Sequence, residues 1–382
     1  MTSQPAVASV PRIAALDVLR GFALGGILMV NITVMSNPSG FAAGPAHTFL
    51  VAFFFDKFYV LFSFLFGYSL TMQFRSAERD GADPRARTVR RCLALMAVGL
   101  LHIVFFFSGD VLFGYGLLGL ILLSMSRLRP KRAVVIAAAT YGLFVLAMTA
   151  ISLLSPSEAS GSIADPERAL ARMRTGWLDA ASYRWDTFSD RIGAFLLFGF
   201  LNVLPLFLVG FAAGKTRLLE RPERYLPLLP KIQWIGFGIA APLALLAAVV
   251  DSPYLAGPSA LLAPLLATAY AATILRLMHH YSWVTNTFAP AGKIAATNYI
   301  AQSVITSIIF TGYGLALVGR LPDWQVLTLA ITIYAAQLAI SRLWVRHHRY
   351  GPVEWVLRRA TYGRPQNRPA RHRLHDEPHA GS

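Results

Sequence analysis

Residues 92–126 read CLALMAVGLLHIVFFFSGDVLFGYGLLGLILLSMS, and His102 and Asp110 are the only acidic or basic side chains in the stretch. A bilayer's hydrocarbon core is crossed by roughly 20 apolar residues at helical rise. The stretch therefore reads as two spans, 92–109 and 111–126, joined at Asp110. Counted along one helix, His102 and Asp110 stand about 12 Å apart, too far to bond. A carboxylate that orients the imidazole is then expected from another helix.

Outward from this segment, further apolar runs cover 16–35, 54–74, 133–154, 192–213, 232–250, 259–278, 295–318 and 324–345. Of the 382 residues 55% are hydrophobic and 14% charged, against roughly 25% charged in a soluble domain. So few charges cannot solvate a surface of this size, and lipid takes the place of water. The expected fold is all-α: a polytopic helical membrane protein of about ten transmembrane helices, one domain over 1–363, with a disordered basic tail at 364–382. The single cysteine, Cys92, excludes an intrachain disulfide and a cysteine metal site.

Thirty-five Lys and Arg against nineteen Asp and Glu give a net charge of +16. The basic residues fall in alternate loops, among them Arg75–Arg91, Arg127–Arg132, Lys215–Lys231 and the segment after Arg342. Short basic loops stay in the cytoplasm, so both termini are expected there. The charge then marks orientation and contact with anionic lipid, and nucleic acid is not needed as a partner. The outer segment 155–191 differs, with both signs of charge. Asp165-Pro166-Glu167 is a helix start, and Leu170, Met173, Trp177 and Leu178 recur at helical spacing. A short amphipathic helix, on the outer surface or lidding a cavity, or a solvated connector is expected there.

Ionisable groups inside spans are costly and mark candidate sites. Asp17 and Arg20 are three apart and share a helix face; Asn31 returns to that face about 16 Å further on. Gly21 and Gly25 form a seam for a close neighbouring helix. In the second run Asp56, Ser63 and Gly67 share a face, and Lys57 pairs with Asp56 or snorkels. Imidazole takes and returns a proton near neutral pH, so His102 is a candidate base or a packed structural group. Asn298 and Gln302 share a face, as do Tyr334, Gln337 and Ser341, and interhelical hydrogen bonding is the plain account of both sets. No metal-ligand spacing, phosphate-binding glycine loop or hydrolase elbow occurs.

LDVLRGFALGGILMVNI (16–32), FYVLFSFLFGYSL (58–70), GLLHIVFFFSGDVLFGYGLLGLI (99–121), GKIAATNYIAQS (292–303) and GPVEWVLRRATYG (351–363) together resemble the YeiB-like family, domain of unknown function 418. The resemblance runs through the chain in order and implies a bacterial inner-membrane protein. Leu16-Asp17 through Leu19-Arg20-Gly21 also resembles the wider transmembrane acyltransferase superfamily, whose members pass acyl groups from cytoplasmic acyl-CoA to hydroxyls or amines beyond the membrane. The first helix lacks the His that acyltransferase-3 proteins carry. Glucosaminide acetyltransferases carry a His before a segment like Asp56 to Gly67, and His47, expected in an outer loop, stands nine residues before Asp56. His102 and His47 are thus rival bases.

The resemblance implies an acyltransferase with no bound cofactor, acyl-CoA as co-substrate and an acceptor of unknown identity. Its candidate catalytic residues are His102, Asp110, Asp56 and Asn31, with Asp17, Arg20, Asn298 and Gln302 at the substrate. The alternatives are a transporter of a small organic molecule and a non-catalytic membrane subunit.

Overall fold

A computed structural model describes residues 13–154, 166–250 and 252–362. The basic tail from 364 and the expected cap Asp165 lie outside them. Every regular element among the described residues is helical. The first half comprises α1 (Ala14–Ser36), α2 (Pro45–Phe53), α3 (Lys57–Arg79), α4 (Pro84–Phe105), α5 (Leu112–Ser124) and α6 (Pro130–Leu154). The second holds α7 (Pro166–Arg174), α8 (Trp177–Phe198), α9 (Leu204–Lys215), α10 (Leu229–Ile235), α11 (Ala241–Val250), α12 (Ala256–Ala260), α13 (Leu262–His280), α14 (Ser282–Lys293), α15 (Ala295–Phe310), α16 (Asp323–His347) and α17 (Pro352–Tyr362). A π-helical turn, Gly199–Val203, joins α8 to α9, and another, Gly236–Ala240, joins α10 to α11.

Eight of these helices or continuous helical stretches are long and apolar enough to cross a membrane. The shorter apolar helix α5, 13 residues long, and the 16-residue α15 lie at the two remaining expected spans. Val135, Leu146, Leu154 and Val249 are each more than 60% exposed, and such apolar side chains face lipid. The chain is a multi-pass membrane protein. Helix α1 is its axis: Val18, Ala23, Leu24 and Ile32 have no exposed surface, and the Gly21–Gly25 seam receives the α14 backbone at Phe288 and the Tyr334 ring.

The arginine-rich loops gather at one end. Arg75 pairs with Glu220 at 2.6 Å, Lys215 donates to the carbonyls of Ser126 and Leu128, and Arg87 stacks over Tyr362. The opposite end is tied by Gly319 N–H to Ser36 O, Gly312 N–H to Met173 O and Arg184 to Phe105 O. The charge asymmetry makes the first end cytoplasmic. Reporter fusions are expected to give cytoplasmic signals at 82, 130, 223 and 285 and outer signals at 40, 109, 170, 255 and 321; a cytoplasmic signal at 170 would overturn the topology.

Several expectations change. The second run breaks at Phe54–Asp56, so Asp56 does not continue the face of Ser63 and Gly67. It sits before α3 with φ +67°, a left-handed conformation that Asp tolerates better than most residues. Lys57 Nζ donates to Val51 O at 2.8 Å at the end of α2, so its charge acts on Asp56 through space and not through a hydrogen bond. His47 lies in the first turn of α2, with no loop around it. The segment from Trp177 to Arg191 is helical, extending the sixth span outward as far as Gly176. The ninth span ends at Phe310, after which 311–322 folds back as a loop. The amphipathic helix forms from Pro166, as α7, but it ends at Arg174, so Trp177 and Leu178 open the next helix and do not extend its face.

Helices α3 and α9 meet backbone to backbone. A Cβ at Gly67 would stand 2.1 Å from Phe207 O, and one at Gly210 1.9 Å from Phe64 O. No side chain fits either position.

Candidate functional site

The centre of the bundle is built on the α4–α5 hairpin. His102 O accepts from the amides of both Phe106 and Phe107, which ends α4. Residues 106–111 then turn the chain back, and Asp110 Oδ2 caps α5 by accepting from Phe113 N at 2.8 Å. Gly99 lets α4 and α5 close, since a Cβ there would meet Phe113 N at 2.3 Å and Asp110 Oδ2 at 2.8 Å.

This reversal corrects the sequence reading of His102. Asp110 Oδ1 lies 2.8 Å from His102 Nδ1, eight residues away on the same hairpin, so the orienting carboxylate does not come from another helix. The two side chains are 1% and 0% exposed. An ionised carboxylate only accepts, so the pair places the proton on Nδ1 and leaves the lone pair on Nε2. Nε2 has no hydrogen-bond partner among the described residues. Tyr299, unassigned from sequence, closes the cluster: its ring centroid is 5.2 Å from the imidazole and its hydroxyl 3.5 Å from Asp110 Oδ1. A hydroxyl-bearing aromatic one residue after Asn298, within a span, was the available signal.

On the cytoplasmic side a cavity of about 350 Å³ is lined by Asp17, Arg20, Arg91, Tyr299, Lys293 and Arg358, among others. Arg20 donates to Ser69 Oγ and lies 3.6 Å from Asp17 Oδ1, so the expected pair forms. Glu354 of α17 accepts from Ala296 N, Thr297 N and Thr297 Oγ1, capping the start of α15. Arg91, Lys293 and Arg358 make no ion pair among the described residues, and the cavity carries a positive excess.

On the outer side a cleft of about 870 Å³ is roofed by α7 through Arg168, Ala169, Arg172 and Met173, and floored by Phe106 to Gly109. Arg184, 3% exposed, donates to Phe105 O at 2.8 Å beneath it. The His102–Asp110 pair thus lies behind the outer floor, with Tyr299 reaching the inner cavity.

Asp56 and Asn31 line a third, mostly apolar space of about 400 Å³ and join no bond with His102. Asn298 and Gln302 form a helix-to-helix ladder. Asn298 Nδ2 donates to Ser341 Oγ, Gln302 Nε2 to Gln337 Oε1, and Gln337 Nε2 to Asn298 O. Their amides hold α15 to α16 and, through Leu24 O, to α1, which answers to packing rather than to a substrate. Neither His47 nor His102 lines any of the three spaces; His102 adjoins them through Phe106 on the outer side and Tyr299 on the inner.

Fold and site define a polytopic helical membrane protein with a buried His–Asp pair between an inner basic cavity and an outer cleft. Residues 213–364 match the model of a protein of unknown function, DUF418. Residues 12–167 match heparan-alpha-glucosaminide N-acetyltransferase, catalytic. The chain is 32% identical to the uncharacterized protein YxaH of Bacillus subtilis, over 92% of this chain and 94% of the relative. It is 28% identical to the uncharacterized protein YeiB of Escherichia coli, over 92% and 96%. The chain belongs to this DUF418 family, and its N-terminal half is related to the membrane acetyltransferases.

Proposed function

We propose that the protein is an acyltransferase of the bacterial cytoplasmic membrane, moving an acyl group from cytoplasmic acyl-CoA to a hydroxyl or amine beyond the membrane. The observation that carries this reading is the buried His102–Asp110 pair between two spaces of opposite sidedness. His102 Nε2 accepts the acceptor's proton, and Asp110 orients the ring and stabilises the imidazolium. The phosphates of the donor meet Arg20, Arg91, Lys293 and Arg358, and arginine's fork suits them. The match of residues 12–167 to an acetyltransferase catalytic model supports the reaction class.

A transporter is favoured by one observation: the three spaces share walls, at Phe195 and Phe198 on the outer side and at Ile27, Val111 and Tyr115 on the inner. Calorimetry with acyl-CoA on folded, detergent-purified protein separates the two. Saturable binding is expected at low salt, weakening as salt rises. Arg91→Gln and Arg358→Gln are each expected to weaken it about 10-fold, the value of one charge-assisted contact. Absence of binding at low salt would sink the transferase and leave the transporter ahead.

A further inference from the structure

The third space is a slot bounded by α1, the start of α3, α5 and the π-helical turn at Gly199–Val203. Along α5 its lining runs from Val111 to Ile121, about 15 Å at helical rise. Leu196, Phe198 and Phe200, on its outer wall, are 41–49% exposed, so the slot opens toward lipid. Its lining is apolar except for Asn31, Asp56, Tyr59 and Tyr115. Asp56 lies 19 residues above the Arg75–Glu220 pair, about 28 Å, near the outer limit of the hydrocarbon.

Three neighbouring donors have other acceptors. Lys57 Nζ is turned to Val51 O, Tyr59 OH donates to Asn202 Oδ1 at 3.1 Å, and Tyr141 OH donates to Ala260 O at 2.8 Å. Among the described residues the Asp56 carboxylate has no hydrogen bond. A carboxyl group without a hydrogen bond at the mouth of a chain-length apolar slot suits a cationic donor on an apolar tail.

We propose that this slot binds a single-chain membrane amphiphile with a protonated amine, its nitrogen at Asp56 and Asn31 and its hydrocarbon chain along α5. Binding does not depend on the transferase reading, whereas the role of this amine as acyl acceptor rests on it. In that role the ammonium first passes a proton to the Asp56 carboxylate. Its nitrogen then bonds to the thioester carbonyl as the C–S bond breaks, giving an amide, and the second nitrogen proton ends on the leaving sulfur as the free thiol.

The test uses the full chain in nanodiscs of zwitterionic lipid, with a photoreactive dodecylamine and its alcohol analogue as probes. Saturable labelling by the amine is expected on slot residues such as Leu118, Phe200 and Val203. Asp56→Asn, which the left-handed backbone tolerates, should raise the amine's half-saturation at least 10-fold and leave the alcohol unchanged. Leu118→Trp, which fills the slot, should remove both. Equal amine labelling in Asp56→Asn, or label confined to lipid-facing Val135 and Leu146, would overturn the proposal. Calorimetry with acyl-CoA on the same samples keeps the readings apart: amine binding without acyl-CoA binding fells the transferase alone, and the reverse fells the slot alone.

Discussion

Asp110→Asn is expected to lower acyl transfer by about 10²–10⁴-fold while the protein still inserts and folds, the range that positioned acid–base groups contribute. The amide keeps the side-chain shape and an oxygen for Phe113 N, so the α5 cap survives. It withdraws the charge beside His102 Nδ1 and permits the wrong ring tautomer. His102→Gln should fall to a similar level, and the double variant little further, because the two act as a unit. His47→Gln, on the first turn of α2, should retain most activity. Mass spectrometry of acylated whole-cell lipids and glycans reads all four. Transfer that survives at His102 but vanishes at His47 would overturn the assignment, and retention by both single histidine variants would remove the proton-transfer mechanism.

Gly67→Val is expected to abolish folded protein. Its Cβ would enter van der Waals space held by the Phe207 carbonyl at 2.1 Å, and main chain cannot rotate away as a side chain can. Overpacking a well-filled contact costs about 3 kcal/mol, a large share of a typical stability. Gly210→Val, on the facing helix, should do the same, whereas Gly142→Val on α6, where the added carbon meets nothing within 4 Å, should be tolerated. Fluorescence-detected size exclusion in detergent distinguishes them: a monodisperse peak for Gly142→Val alone is the expected pattern, and one for Gly67→Val would refute the close-contact argument.

The spans were legible because hydrocarbon thickness imposes a length on every crossing, and the arginine loops because the membrane sorts charge. The Asp17–Arg20 pair was legible for the same local reason, since residues three apart share a helix face. What escaped were the breaks. Both begin inside a Phe triplet, Phe53 to Phe55 and Phe105 to Phe107, with no proline or glycine in it to announce the break. The second is ended by main-chain bonds to His102 O and secured from outside by Ser307 Oγ on Phe106 O and Arg184 on Phe105 O. Partners that far along the chain leave no local signal. Counting along an unbroken helix therefore set His102 and Asp110 apart and put Asp56 on the wrong face. Arg91 and Tyr299 escaped because each reads alone as an interface cation or a packing aromatic, and they join a site only when distant helices meet.

The eight-residue separation of His102 and Asp110 also bears on how the protein is made. Short loops close in roughly 10–100 ns, far faster than residues are added at about 5–20 per second. The imidazole–carboxylate contact needs nothing beyond the α4–α5 hairpin, so it forms as that hairpin enters the bilayer. Tyr299 follows Asp110 by 189 residues and is synthesised many seconds later. The nascent chain thus shields its costliest polar pair from lipid early, and the aromatic lid is fitted near the end of biogenesis.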